Sequence, residues 1–355
     1  MKRKLSAKNL ILPGITILFA VAILNQPLAR AASLVLPSGG MLESSLHLIP
    51  QPLFVAIALL LLIPSLFQLS KLPLNYISIP LSFLALFSIS GLEINFPRNP
   101  PEGAQTYGIV TWNAGQREGH DVTPFVYQNR PNFISIQGNS SFSLENLNSL
   151  PSYQKHSSGE YTLYSEYEVL KSKDLIFEDN KGKTYHYGVQ YLIDLSSGDS
   201  MLLYNIHLPT LRDAWSQLRY RLTEALKHIN PKESVAAISN AANEFSFHRE
   251  ISNHFLKVLE NQEFQFIISG DFNCAPNSYL NRKLNKTTKD VFDSSGKGFG
   301  YTFPGKTNWK ILGYDSFSRI DFIKASPNLR PIVSFTESKS LAQHKALFCK
   351  FYVKN

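Results

Sequence analysis

Five short stretches of this 355-residue sequence carry carboxylate, amide or imidazole side chains at the ends of apolar runs. They are Thr111-Trp112-Asn113, Tyr204-Asn205-Ile206-His207-Leu208-Pro209, Ser269-Gly270-Asp271-Phe272-Asn273, Ser318-Arg319-Ile320-Asp321-Phe322-Ile323 and Gln343-His344. Strand bodies make core, whereas strand ends open into a site, so these are the places where chemistry collects. The residue types suit hydrolysis of an anionic phosphoester. Carboxylate and amide oxygens are hard ligands for a divalent cation that neutralises phosphate charge. A histidine is matched to take a proton from water near neutral pH, and a carboxylate on its far ring nitrogen fixes the tautomer. Each residue also has a plain structural alternative. His207 alone reads as a satisfied interior histidine, the Gly-Asp-x-Asn turn as a strand-to-turn cap, and Arg319 with Asp321 as a surface pair. Trp112 and Tyr204 read as packing.

These positions need strands to hold them. Tyr107–Asn113 and Asn132–Gln137 read as buried strands on either side of a short helix, Thr123–Asn129, at a spacing that suits a βαβ unit. Tyr185–Leu195 and Met201–Leu208 flank the turn residues Ser196-Ser197-Gly198-Asp199 and read as a hairpin. Leu211–Ile229 and about Val235–Leu259 have helical periodicity. Phe264–Ser269, Arg319–Ala325 and Leu347–Tyr352 complete the expected strands. Cys274 and Cys349 make no disulfide framework and read as small buried thiols.

In order and spacing the five stretches resemble the endonuclease/exonuclease/phosphatase superfamily, across nearly the whole of residues 106–355. Gly-Asp-Phe-Asn after a buried strand, Arg-Ile-Asp-Phe downstream and a late histidine carry the resemblance. Gly300-Tyr301-Thr302-Phe303-Pro304 stands where membrane-anchored members have a similar loop. The resemblance implies an α/β fold, a four-layer sandwich of two packed mixed β-sheets flanked by helices. It implies His344 as general base, Asp321 as the carboxylate orienting it, and Asp271 as the holder of the attacking water. Asn273 is then expected on the phosphate and His207 beside the developing phosphorane charge. Asn113 is expected near both metal and phosphate. The implied cofactor is a divalent cation, Mg²⁺ or Mn²⁺, with Asp271 and Asn113 as its ligands.

Two positions depart from the family pattern. Gly138 follows Gln137 where the principal metal carboxylate belongs, and Gln343 precedes His344 where an aspartate belongs. Both changes remove negative charge from the metal site. Gln343 still offers a neutral oxygen, and Glu145 is a candidate to reach in from the following loop.

Residues 1–96 read as a membrane region. Three runs, 10–29, 52–69 and 74–92, approach the ~20 residues that cross a ~30 Å hydrocarbon core. The first, behind MKRKLSAKN and ahead of Ala29-Arg30-Ala31, is either a cleaved signal or a transmembrane helix. Lysines at the N-terminus and at Lys71 place those ends inside. The Pro-rich segment 97–105 then reads as a stiff linker to a domain on the periplasmic or extracellular side. The first hundred residues hold seven Lys or Arg against two acids, and the other 255 hold 28 against 25, giving +5 and +3. A balance of +3 is unlike the dense basic footprint of a dedicated nucleic-acid binder. The expectation is an outward-facing, multi-pass phosphoesterase whose partners are the bilayer and a lipid-linked or small phosphoester. An extracellular nuclease and a catalytically degenerate binding domain are the alternatives.

Overall fold

The computed structural model describes residues 93–115, 122–138, 153–195, 199–210, 231–260, 262–276, 278–303, 318–338 and 342–354. The hydrophobic runs at 10–29, 52–69 and 74–92, the expected helix Leu211–Ile229 and Glu145 lie outside these residues. No described helix is long and apolar enough to cross a membrane.

The described chain runs β1 (Glu93–Ile94), β2 (Thr106–Asn113), α1 (Thr123–Asn129), β3 (Phe133–Gln137), β4 (Gln154–Ser158), β5 (Tyr161–Ser165), β6 (Val169–Glu178), β7 (Thr184–Asp194), β8 (Ser200–His207), α2 (Pro231–Leu259), β9 (Gln265–Asp271), α3 (Tyr279–Leu284), β10 (Lys289–Asp290), α4 (Val291–Ser295), β11 (Lys297–Gly298), β12 (Asp321–Ala325), β13 (Leu329–Thr336) and β14 (Leu347–Val353). Two six-stranded sheets result, ordered β10-β12-β9-β8-β7-β6 and β13-β14-β2-β3-β5-β4. Each is mixed: β8 pairs β9 in parallel in the first, and β2 pairs β3 in parallel in the second.

Side-chain alternation along the strands builds the layers. On β2, Ile109 faces the other sheet while Val110 and Trp112 face outward. On β8, Met201 and Leu203 face in, and Leu202 and Tyr204 face out. Ile109, Phe133, Leu163, Val189, Leu203 and Ile267 therefore join in one core between the sheets. Ile251 and Phe255 of α2 and Leu280 of α3 cover the outer face of the first sheet. Val126 of α1, with Val122 before it, covers the outer face of the second. The layers are helix, sheet, sheet, helix, as the motifs imply.

The inward faces change character along their length. Ile109, Thr111 and Asn113 succeed one another on β2, beside Phe133, Ser135 and Gln137 on β3. Leu203, Asn205 and His207 do so on β8, beside Ile267, Ser269 and Asp271 on β9. Four strands thus pass from apolar to polar residues in register, and three of them end in Asn113, His207 and Asp271. The polar level is cross-linked between sheets: Gln137 Nε2 donates to Asn205 Oδ1 at 2.7 Å, and Ser269 Oγ to Ser135 Oγ at 2.8 Å.

Several boundaries differ from expectation. Helix α2 starts at Pro231, and β12 starts at Asp321 rather than Arg319. Arg319 is no surface pair. Its buried guanidinium lies 3.4 Å from Asp290 Oδ1 and 2.5 Å from Asp293 Oδ1, and Lys324 Nζ lies 3.1 Å from Asp290 Oδ2. Strands β4, β5, β6 and β13 were not foreseen. The compact unit begins at Glu93, ahead of the segment read as linker. Both cysteines are free and buried.

Candidate active site

Strand register alone assembles the centre of the site. Asp271 is the last residue of β9, and β9 lies between β8 and β12. The ladders place His207 opposite Asp271 on one side and Asp321 opposite it on the other. Asn113 comes from the facing sheet, and its Nδ2 donates to Asp271 Oδ2 at 2.8 Å.

His344 arrives on the loop before β14. Its Nδ1 lies 2.9 Å from Asp321 Oδ2, and its Nε2 lies 3.8 Å from Asp271 Oδ2. A carboxylate on Nδ1 makes that nitrogen the proton-bearing one and turns Nε2 toward Asp271. Three contacts hold this loop. Trp112 Nε1 donates to the His344 carbonyl at 3.3 Å, Lys345 N donates to the Thr302 carbonyl at 2.8 Å, and the Phe303 ring packs on the imidazole at 4.9 Å. Thr302 Oγ1 also accepts from the amides of Ile320 and Asp321, both at 3.2 Å. The Gly300–Phe303 loop thereby fixes the catalytic-looking aspartate and histidine together.

His207 mirrors this pair. Its Nδ1 lies 2.9 Å from Glu160 Oε1 and its Nε2 lies 3.7 Å from Asp271 Oδ2. Glu160 was missed in the sequence. It sits in the tight turn between β4 and β5, neither of which was expected, and Gly159 before it has φ +58°. Two carboxylate–imidazole pairs therefore converge on one oxygen of Asp271.

The electrostatics follow from burial and crowding. Burial raises the Asp271 carboxyl and the Asp321 charge raises it further, against the two histidines. Burial opposes protonation of His344, but Asp321 and Asp271 outweigh it and push the imidazole up to about 9. Burial likewise opposes His207, and Glu160 with Asp271 raises it. Glu160 is lowered despite its burial by its bond to His207.

Asn113 and Asn273 both make hydrogen bonds within the site. Both ends of Asn113 are engaged within the protein, Nδ2 with Asp271 and Oδ1 with the Gly115 amide at 2.9 Å. Asn273 has φ +48°, donates its Nδ2 to the Leu208 carbonyl at 2.7 Å and its backbone N to Asp271 Oδ1 at 2.8 Å. Its amide locks the end of β8 to the turn after β9.

A cation has donors here. Asp271, Asp321 and His344 each offer a ligand atom, all within 4.8 Å of one another. Asp321 Oδ1 is buried with no hydrogen-bond partner among the described residues. Two carboxylates suit Mg²⁺, which is commonly held by one or two carboxylates plus water and substrate phosphate. Position 138 cannot add a third. Gly138 has φ +87°, and a Cβ there would lie 2.9 Å from the Gly115 nitrogen.

Fold and site together define a class: an α/β sandwich in which a carboxylate-oriented histidine faces a second carboxylate, a geometry suited to drawing a proton from water. No family model and no curated protein matches the sequence. Solved structures do. An endonuclease/exonuclease/phosphatase from Bacteroides vulgatus is 15% identical, with TM-score 0.49 over 70% of this chain and 100% of its own. A family protein from Bacteroides thetaiotaomicron is 12% identical, with TM-score 0.48 over 71% and 99%. A mannosyl-6-phosphatase from the same organism is 12% identical, with TM-score 0.46 over 69% and 99%. The chain is similar to endonuclease/exonuclease/phosphatase structures, loosely and at the level of fold.

Proposed function

We propose that the protein is a membrane-anchored, outward-facing phosphoesterase that hydrolyses a phosphodiester or phosphomonoester, with a lipid-linked phosphate favoured as substrate. The observation that carries the reading is the Asp321–His344–Asp271 arrangement. Asp321 on Nδ1 leaves Nε2 of His344 to accept a proton from a water held at Asp271. His207, oriented by Glu160, presents a second imidazole to the charge that develops on phosphorus. Asp271 and Asp321 would hold the divalent cation, which neutralises phosphate charge and offsets the carboxylate field that keeps His344 protonated. The apolar runs at 10–29, 52–69 and 74–92 favour a lipid-linked substrate, because a tether raises the local concentration of anything in the bilayer.

Gly138 favours a second reading, a degenerate domain that binds a phosphate-bearing ligand without turnover. A binding domain has no need of an oriented base, which is why the catalytic reading stands first.

The test is hydrolysis of a panel of phosphodiesters and phosphomonoesters by the full chain in detergent, with Mg²⁺, Mn²⁺, Ca²⁺ or EDTA. Cation-dependent turnover is expected, and His344→Ala should lower it by about 10²–10⁴-fold, the usual contribution of a general base. A folded protein that binds phosphate but shows no turnover with any cation would establish the binding reading instead.

A further inference from the structure

The two most exposed large apolar side chains of the described residues stand two positions apart, Ile94 at 65% and Phe96 at 80% exposure. Asn95 between them turns the other way. Its Nδ2 donates to the carbonyls of Asp293 and Gly296 at 3.0 and 3.1 Å, and its backbone N donates to Gly296 O at 3.2 Å. Alternation in an extended chain then leaves Ile94 and Phe96 facing away from the domain. The segment is not a loose tether. Glu93 and Ile94 pair with Gly298 and Lys297, and Arg98 N donates to the Ile332 carbonyl at 3.1 Å.

The surroundings are basic. Arg98 and Lys297 are exposed, and burial together with the charges of Arg330, Arg98 and Lys354 lowers the Lys289 ammonium. Asp290 and Asp293 are spent on Arg319 and Lys324. The segment's remaining acids are Glu93, partly exposed on β1 beside Ile94, and the exposed Glu102 further along. An apolar pair rimmed by cations is the composition that seats in the interface of an anionic bilayer. The sequence supplies the occupant: the apolar run 74–92 ends one residue before Glu93.

We propose that the edge formed by Ile94, Phe96, Arg98 and Lys297 docks on the surface of an anionic lipid bilayer. β11 leads from this edge straight into the loop whose Phe303 packs on His344. Lys297 and Phe303 are six positions apart, and an extended chain covers at most ~3.6 Å per residue, so Lys297 lies within about 30 Å of His344. This deepens the phosphoesterase reading and rests on it: the favoured substrate carries its phosphoester at headgroup level. It rests also on 74–92 as a membrane span.

The full chain, reconstituted in vesicles, tests this. A fluorophore on Phe96→Cys is compared with one on Leu170→Cys, which is half exposed on β6, using lipids with brominated acyl chains that quench at short range. Strong loss of fluorescence is expected at position 96 in phosphatidylglycerol-containing vesicles and little at 170. Arg98→Glu with Lys297→Glu should weaken the loss at 96. Quenching at 96 no greater than at 170, in a chain that resists alkaline carbonate extraction, overturns the docking alone. A chain released by carbonate overturns the membrane span and the docking with it. Equal quenching in anionic and in pure phosphatidylcholine vesicles overturns the anionic surface as partner. The quenching should persist in His344→Ala, so failure of the catalytic reading is seen separately in turnover.

Discussion

At position 138 the backbone adopts φ +87°, and a side chain would meet the Gly115 amide nitrogen at 2.9 Å and Asn113 Oδ1 at 3.2 Å. Restoring the carboxylate that the motif pattern lacks is therefore not a repair. Left-handed backbone at a residue with a Cβ costs about 1–3 kcal/mol, and displacing Gly115 also removes the N–H donor that holds Asn113 Oδ1 and so turns its Nδ2 toward Asp271. Gly138→Glu is expected to lower stability by about that amount, read as a drop in melting temperature, and to lower cation-dependent turnover as well. A variant that melts like the parent and turns over faster would show that the loop yields and that only a missing ligand limited the site. His207 and Asp271 were legible in the sequence because each ends an apolar run, and Asp321 and His344 because each stands at or just ahead of the start of one. Glu160 was not legible, since a lone glutamate in a Ser-Ser-Gly-Glu turn carries no periodic signal. The engagements of Asn113 and Asn273 were not legible either, because an amide's partner is set by tertiary neighbours and not by its position in a motif.

Elements with one buried face and one helix-covered face were read well. Helix α1 was found to the residue at Thr123–Asn129 and the β7–β8 hairpin to within one residue at each of its four ends. The strands that escaped lie at or near sheet edges, where alternation fades. β4 is largely exposed, β6 exposes Lys171, Ser172, Lys173 and Asp174 in succession, and β13 carries Pro331 at an edge. Helix α2 shows how an element is fixed to the site it backs. His248, buried on α2, has Nε2 3.1 Å from the carbonyl of Phe272, the residue after Asp271. Burial lowers its imidazole to about 4, partly offset by that bond. The folded state thus binds the proton less readily than the unfolded chain, whose histidine titrates near 6.5. Below that value the unfolded state takes up a proton that the folded state refuses. Stability is therefore lost as pH falls from about 6.5 to about 4, by up to about 3 kcal/mol, and the loss stops below about 4. His248→Gln keeps a donor for the Phe272 carbonyl without titrating. Its melting temperature should fall less than the parent's between pH 7 and pH 5, and parallel curves would remove His248 from the acid response.

Across the whole domain, the candidate catalytic residues sit on two separate sheets, so the site exists only if the sheets keep their relative height. Asn113 and Asp271 meet across the interlayer, and Gln137, level with Asn113 on β3, reaches Asn205 one level beneath His207 on β8. Asn205 also donates to the carbonyls of Ile136 and Thr162 at 3.0 and 3.2 Å, which ties β8 to two strands of the opposite sheet. Apolar packing below this level is nondirectional and would tolerate sliding, whereas fully buried amides accept few registers. The polar step in four inward faces is thus the alignment device for the residues above it. Truncating one amide leaves its partner buried and unsatisfied, at about 1–3 kcal/mol, while replacing both by apolar groups removes the unmet need. Gln137→Leu and Asn205→Leu should each lower stability by that order in denaturant unfolding, and the double variant should lose less than their sum. All three should lose turnover, the double variant included, because the register is no longer specified even where stability recovers. Strict additivity of the two stability losses would mean that the sheets are aligned by some other contact, and full turnover in the double variant would mean that the site does not depend on this seam.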